Sequence, residues 1–460
     1  MFELREALGW FDKAVMFARG DELMSSVSTD SRQLQAGCLY VPLRGEHFDG
    51  HAFIDSALSA GAGGYLFDEA APFGPAAHPG KPCIRVTDTR RALGVMARGW
   101  RSRFNLPVLA VLGSNGKTTV KEMLAAIVRE AVGEAATLAT RGNLNNDIGL
   151  PQTVFRLRAE HRMAVLELGM NHPGEIDWLC EIAQPQIAVM TNAQREHQAF
   201  LDGVEATAHE NGAAFTHLPA DGVAVYPGDD ACAAIWAKLA GDRRTVTFGH
   251  AQSAGQFDVW ASAQAVPSGF ELNIGTQALS VTLLIEGAHN VRNALAAAAA
   301  AHAGGIAPTA IAAGLAAFEP AKGRLRRARS AADVFLIDDT YNANPDSVRA
   351  AIDVLAARPE PRVLVLGEMG ELGENEAAWH TEVGQYARER GLTTLLGLGE
   401  LTVHAVQAFG AGGQLCADHD EISRRAAELL QPGVSMLVKG SRYMKMEAVI
   451  AAIETSDEAN

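Results

Sequence analysis

Val108-Leu109-Ala110-Val111-Leu112 runs directly into Gly113-Ser114-Asn115-Gly116-Lys117-Thr118-Thr119. The first five residues form an unbroken apolar run of strand length. Val120, Met123, Leu124, Ile127 and Val128 then follow at helical spacing and define one buried face,. The chain thus passes from a buried strand through a glycine turn into an amphipathic helix. In such a turn, backbone N–H groups converge on a phosphate and the helix N-terminus adds partial positive charge. Lys117 can reach the β/γ oxygens, and the Thr118 hydroxyl can ligate Mg²⁺. Val111 stands where the full phosphate-loop signature starts with glycine. The plain alternative is therefore a glycine turn carrying a chance lysine.

Further buried strands are expected at Ala164–Leu168 and Ile187–Thr191, with helical sequence between them. Strand alternating with helix predicts a parallel sheet. From Phe270 to Ile285 the pattern changes. Phe270, Leu272 and Ile274 alternate with polar residues, and Leu279, Val281 and Leu283 do so after Gly275. This predicts an antiparallel hairpin attached to the parallel core. Beyond Glu319-Pro320, the runs Val334–Ile337, Val363–Leu366, Thr394–Leu398 and Ser435–Val438 predict a second doubly wound α/β domain,. The first hundred residues carry short apolar runs such as Cys38–Leu43 and read as a small α/β domain, joined by a linker from Trp100 to Pro107. The expected fold is α/β in three domains, over residues 1–105, 106–318 and 319–460.

The composition agrees with a multidomain enzyme. With 460 residues the chain exceeds what one core usually serves,. A net charge of -15 argues against nucleic acid or an anionic membrane as partner,. Five scattered cysteines without a CxxC pair fit reduced thiols in the cytoplasm,. The first ten residues carry charges where a signal peptide needs an apolar core,. The run Ala294–Ala301 is too short to span a bilayer,.

Two further residues suit metal chemistry. Glu167 ends an apolar strand, where nucleotide enzymes place a metal-binding acid, although a lone glutamate there is commonly just solvated. His197 follows the next strand, and a lone histidine is more often a satisfied polar group than a ligand.

The phosphate loop, Gly142-Asn143-Leu144-Asn145-Asn146, Glu167-Leu168-Gly169-Met170-Asn171, Gly287-Ala288-His289-Asn290-Val291-Arg292-Asn293 and Asp339-Thr340-Tyr341-Asn342-Ala343-Asn344-Pro345 together resemble the Mur ligase family, over essentially the whole chain and in the family's order. Within it, Asn143–Gly149, Tyr341–Pro345, Leu366–Gly373 and Lys439-Gly440-Ser441-Arg442 resemble the branch that adds D-alanyl-D-alanine to UDP-N-acetylmuramoyl-tripeptide in cell-wall peptidoglycan synthesis. The resemblance implies that ATP phosphorylates the tripeptide carboxylate to an acyl phosphate, which the incoming amine attacks. Bringing two anions together calls for cations, so two Mg²⁺ ions beside Lys117 make physical sense.

By the same resemblance, Lys117, Glu167 and His197 are catalytic, and Thr118, Glu167 and His197 hold the metals. ATP falls to Gly113, Ser114, Asn115, Gly116, Lys117, Thr118, Thr119, His289, Asn290, Asn293, Arg324 and Asp339. The uridine diphosphate falls to Ser28, Thr29, Asp30, Ser31, Arg32, Arg44, Gly45 and His51. The dipeptide falls to Asn342, Asn344, Ser441 and Arg442. A cytoplasmic monomer is expected. One position departs from the family. A lysine modified to a carbamate bridges to the second Mg²⁺ in many members, and Asn211 stands there instead. Either Glu210 supplies the missing charge or that metal is held more weakly. Two other readings stay open: a sibling Mur-type or folylpolyglutamate-type amide ligase, and a non-catalytic nucleotide-sugar-binding partner.

Overall fold

The computed structural model describes residues 1–460 apart from 19, 72–74, 197, 252–254, 263–268, 329–333 and 459–460; at 75 and 455–458 it describes the backbone alone. His197 and its expected metal role therefore lie outside the described residues.

Val108–Leu112 is buried along its whole length because helices cover both faces of its sheet,. Leu109 and Val111 face the helix Lys117–Val132, while Val108, Ala110 and Leu112 face the opposite layer. The strand lies within a nine-stranded sheet. Ile187–Met190 and Met163–Glu167 pair with it in parallel on either side. Thr137–Ala139 extends the parallel run on one flank, and Val223–Pro227, Arg244–Ala251 and Val259–Ser262 extend it on the other. The expected hairpin closes that second flank. Gly269–Ile274 and Gln277–Thr282 are antiparallel, turning at Gly275 with φ +57°. The Phe270–Val281 and Leu272–Leu279 pairs put their apolar side chains on one face,.

The C-terminal sheet has six strands. Ser435–Lys439 lies between Phe335–Asp339 and Arg362–Gly367, parallel to both. The strand order therefore reverses beside Asp339, Lys439 and Gly367, and such a switch point leaves a crevice at the carboxyl ends of the strands. Thr394–Leu398 and Gly413–Cys416 complete the parallel run, and Arg326–Arg327 adds an antiparallel edge. The N-terminal sheet is mixed. Val27–Ser28, Leu39–Tyr40, Gly64–Asp68 and Cys83–Val86 are parallel, and Val15–Phe17 is antiparallel to the last.

The segment expected as a linker is packed. Trp100 and Arg101 end the helix Thr89–Arg101, and both are buried. The Arg101 guanidinium donates to the carbonyls of Ala183, Phe104 and Leu106. Burial pushes its pKa down to about 10. The polar residues that suggested a tether are thus the ones fixing it. One apolar cluster joins Leu66, Ile84 and Leu93 of the N-terminal part to Val108 and Leu166 of the central sheet and Ile182 of the helix Glu175–Ala183. The two faces of the C-terminal sheet have clusters of their own. All five cysteines are free and buried.

Candidate active site

The phosphate loop takes its shape from two glycines with positive φ, Gly113 at +116° and Gly116 at +84°. A Cβ at Gly113 would collide with Thr191 Oγ1, and one at Gly116 with Asn293 Oδ1. The loop is fastened from the neighbouring strand end. Ser114 N donates to the Asn192 carbonyl at 3.1 Å and Asn115 N to Asn192 Oδ1 at 3.0 Å. The first turn of Lys117–Val132 then presents N–H groups that have no intrahelical partner, which is what an anion requires. Lys117 Nζ curls over the loop, donating to Gly113 O at 2.6 Å and Ser114 O at 2.9 Å, with Glu196 Oε1 at 2.7 Å. Sequence reading missed Glu196. Its signal is its place in Asn192–Glu196, directly after a central strand.

Glu167 is 2% exposed at the end of its strand. Its Oε1 accepts from Thr118 Oγ1 at 3.1 Å and Asn145 Nδ2 at 2.8 Å. Its Oε2 is buried with no hydrogen-bond partner among the described residues. A buried carboxylate oxygen left open beside a hydroxyl, at the mouth of a phosphate loop, fits a hard divalent cation. Thr118 and Glu167 would hold it.

The helix Ala288–Ala303 brings its expected nucleotide residues to the loop. His289 Nε2 lies 3.0 Å from Asn290 Nδ2, and Asn293 Nδ2 donates to Asn290 Oδ1 at 3.0 Å. Burial, with help from the Lys439 charge, pushes the His289 imidazole down to about 4. The lowered pKa favours the neutral imidazole, which can both donate and accept a hydrogen bond,.

The C-terminal unit closes over the loop. Arg324 Nη2 donates to Thr118 Oγ1 at 3.0 Å, and its guanidinium lies 3.9 Å from the Tyr341 ring centre. Asp339 accepts from Lys439 Nζ at 2.6 Å and from Leu325 N at 3.1 Å. Burial pushes its carboxyl up, while Lys439 pulls against that. Arg195 of the central unit bonds Asp346 and Glu382 and stacks 4.5 Å from the Trp379 ring. Together these contacts enclose a cleft of about 1260 Å³.

At the C-terminal side of the cleft lie Asn342, Ser441, Arg442 and Tyr443. Ser441 Oγ is buried without a hydrogen-bond partner among the described residues, and Arg442 is exposed, with Glu447 Oε1 at 3.1 Å. Asn344 differs from expectation. Its side chain caps the helix Pro345–Ala356 and bonds the phosphate loop, so its amide is committed within the protein. The cleft is also lined by Arg90, Arg91, Asp147, His172 and Trp178. Arg91 lies over Trp178 at 3.1 Å, and Arg90 pairs with Asp147. Sequence reading gave none of these five a role, since they belong to no phosphate motif.

The expected uridine-diphosphate residues fall into two groups outside this cleft lining. Ser28 to Arg32 form a turn at a strand end, with Arg32 holding the Asp30 carboxyl down at about 2. Thr29 Oγ1 accepts from Gln152 of the central unit at 3.3 Å. Arg44 is bonded to both Asp68 and Asp49, next to Gly45. His51 is 1% exposed, with Nδ1 2.6 Å from Asp49 Oδ1. For Arg44 and His51 the structure therefore shows an internal network where substrate contacts were expected.

Asn211 and Glu210 also differ from expectation. Asn211 Oδ1 accepts from Gly113 N at 3.2 Å, so it braces the phosphate loop. Glu210 Oε1 accepts from Gly174 N at 2.8 Å, ahead of the helix Glu175–Ala183. A carboxylate at a helix N-terminus contributes about 0.3–1 kcal/mol. Glu210→Gln should therefore lower the melting temperature slightly and leave the Mg²⁺ concentration for half-maximal rate unchanged. A raised Mg²⁺ requirement in a titration would return Glu210 to the metal.

A phosphate loop, an open buried carboxylate and a closing doubly wound unit define an ATP-dependent ligase of the three-unit α/β class. Residues 24–101 match the family model "Mur ligase family, catalytic domain", 111–301 "Mur ligase middle domain", and 323–442 "Mur ligase, glutamate ligase domain". The chain belongs to the Mur ligase family. It is 38% identical over 439 residues to the UDP-N-acetylmuramoyl-tripeptide--D-alanyl-D-alanine ligase of Escherichia coli, covering 94% of each chain. Its fold matches a crystal structure of MurF from Acinetobacter baumannii with a TM-score of 0.89 and 33% identity, over 99% of each chain. A MurF ligase from Thermotoga maritima in complex with ADP matches at 0.83 and 25% identity, over 95% of this chain and 99% of that one.

Proposed function

We propose that this chain uses ATP to join D-alanyl-D-alanine to UDP-N-acetylmuramoyl-tripeptide, giving the pentapeptide precursor of peptidoglycan. The observation that carries the reading is one cleft lined by all three units, with Arg90 and Arg91 from the first, the phosphate loop and Glu167 from the second, and Ser441 and Arg442 from the third. One shared space faced by three units suits a three-part reaction of an acid, ATP and an amine.

In this reading the units divide as 1–105 for the UDP end, 106–318 for ATP and 319–460 for the dipeptide. A carboxylate oxygen of the tripeptide attacks the γ-phosphorus, ADP leaves, and an acyl phosphate results. The dipeptide nitrogen then attacks the carbonyl carbon. The tetrahedral intermediate breaks its C–O bond, and the released phosphate carries away the proton that the nitrogen loses. Lys117, Arg324 and the first helical turn stabilise the charge that moves onto the phosphoryl oxygens. Thr118 and Glu167 would hold Mg²⁺, which would supply positive charge between the two anions. Closure of the third unit keeps water from the acyl phosphate. The site is cytoplasmic in this reading, and no helix among the described residues is long and apolar enough to cross a membrane.

Phosphate release measured with UDP-muramoyl tripeptide, ATP and each candidate amine tests the assignment; D-alanyl-D-alanine should be required. A second expectation separates the dipeptide end. A charge-assisted pair to a carboxylate is worth about 1.5–3 kcal/mol, so Arg442→Ala should raise the KM for D-alanyl-D-alanine about ten- to a hundredfold. The KM for ATP should stay near wild type. Equal changes in both would give Arg442 a structural role.

A further inference from the structure

Asn115 sits at the tip of the phosphate loop, and Asn344 begins a helix of the C-terminal unit. Their side chains form a reciprocal amide pair. Asn344 Nδ2 donates to Asn115 Oδ1 at 2.8 Å, and Asn115 Nδ2 donates back to Asn344 Oδ1 at 3.3 Å. We propose that this pair is the contact through which closure of the third unit sets the phosphate loop, making Asn344 a positioning residue for phosphoryl transfer. The inference rests on the ligase reading above.

Each partner is fixed on its own side. Asn115 Nδ2 also donates to Gln194 Oε1 at 2.7 Å. The Asn115 main chain is bound at both polar groups, its N–H to Asn192 Oδ1 and its carbonyl to Asn192 Nδ2 at 2.9 Å. Asn344 Oδ1 accepts from Ser347 N at 2.9 Å, and Ser347 Oγ accepts from Asn344 N at 3.0 Å. This capping box, followed by Pro345, fixes the direction in which the amide points,.

A primary amide that both gives and accepts is satisfied only in one relative orientation. A third unit docked at another angle leaves polar groups of both residues, 8% exposed at Asn344, without their partners,. The pair carries no net charge, so it reports alignment without altering the field at the phosphates. Asn344 Oδ1 has both lone pairs in use, which leaves one N–H for anything else. Asn344 therefore has little left to offer a dipeptide.

Asn344→Asp in the full-length enzyme separates the roles. It keeps the cap acceptor but replaces the donor with an oxygen facing Asn115 Oδ1. Expected is a kcat lowered at least about tenfold, with the KM for D-alanyl-D-alanine within about twofold of wild type. On an Asn115→Ala background the same change should cost less than about twofold, because the contact is already gone. Asn344→Ser, which also caps, repeats the test should the aspartate melt early. A raised dipeptide KM at unchanged kcat would overturn the proposal by placing Asn344 on the substrate. Additive losses in the double variant would overturn it by showing no coupling. Failure of the dipeptide reading shows separately, as wild-type enzyme that releases phosphate only with another amine; the cycle is then run with that amine.

Discussion

Lys117→Ala should reduce ATP-dependent phosphate release about a hundred- to a thousandfold, the usual cost of removing one preorganised donor from a developing charge. The ammonium already lies over the loop, with two carbonyls and Glu196 around it. No reorganisation beyond exchanging these partners for phosphate oxygens is needed when ATP arrives. Three oxygens lose one donor each in the variant, so a modest fall in melting temperature is expected alongside the kinetic loss. Steady-state phosphate release and a thermal melt check both. Turnover within about threefold of wild type would remove Lys117 from the transition state.

Glu167→Gln should lower kcat by a similar factor and raise the Mg²⁺ concentration needed for half-maximal rate, while the apo protein melts no earlier than wild type. The reason lies in the two carboxylate oxygens. Oε1 keeps its bonds from Thr118 and Asn145 as an amide oxygen. Oε2 has no hydrogen-bond partner among the described residues to lose. Leaving a buried polar atom unmatched costs about 1–3 kcal/mol, a strain the wild-type fold carries for its ligand. A neutral amide removes the anionic ligand but little of the apo structure. A Mg²⁺ titration and a melt in chelator separate the two effects; an unchanged Mg²⁺ dependence would move the metal elsewhere.

Backbone-driven features were legible in the sequence. The strand, loop and helix from Val108 to Val132, the hairpin at Gly275 and the parallel strands of the C-terminal sheet follow from apolar periodicity and glycine placement. Side-chain commitments were not, because they depend on which groups meet across long separations. Arg101 looked like linker polarity until its guanidinium met carbonyls more than eighty residues away in sequence. Glu210 was one of two ways to make up for Asn211, yet Gly174, whose N–H it accepts, lies in another loop. Asn344 suggested a substrate contact by its motif, and only the fold reveals that it caps the helix Pro345–Ala356. Arg44 and His51 suited a diphosphate by type, and only the fold reveals Asp49 and Asp68 beside them.

The alanine-rich helix Ala288–Ala303 acts as a gauge of thickness. Ala294 and Ala296–Ala301 are at most 1% exposed, between the phosphate-loop helix and the central strands. Single methyl groups let that helix lie closer than leucines would allow, and the same rod carries Asn293 up to Gly116. The width of a methyl layer thereby fixes how tightly Asn293 is drawn against the phosphate loop. A monotonous stretch of composition is in effect a shim, and thickening it at any rung would tilt one edge of the site away from the other.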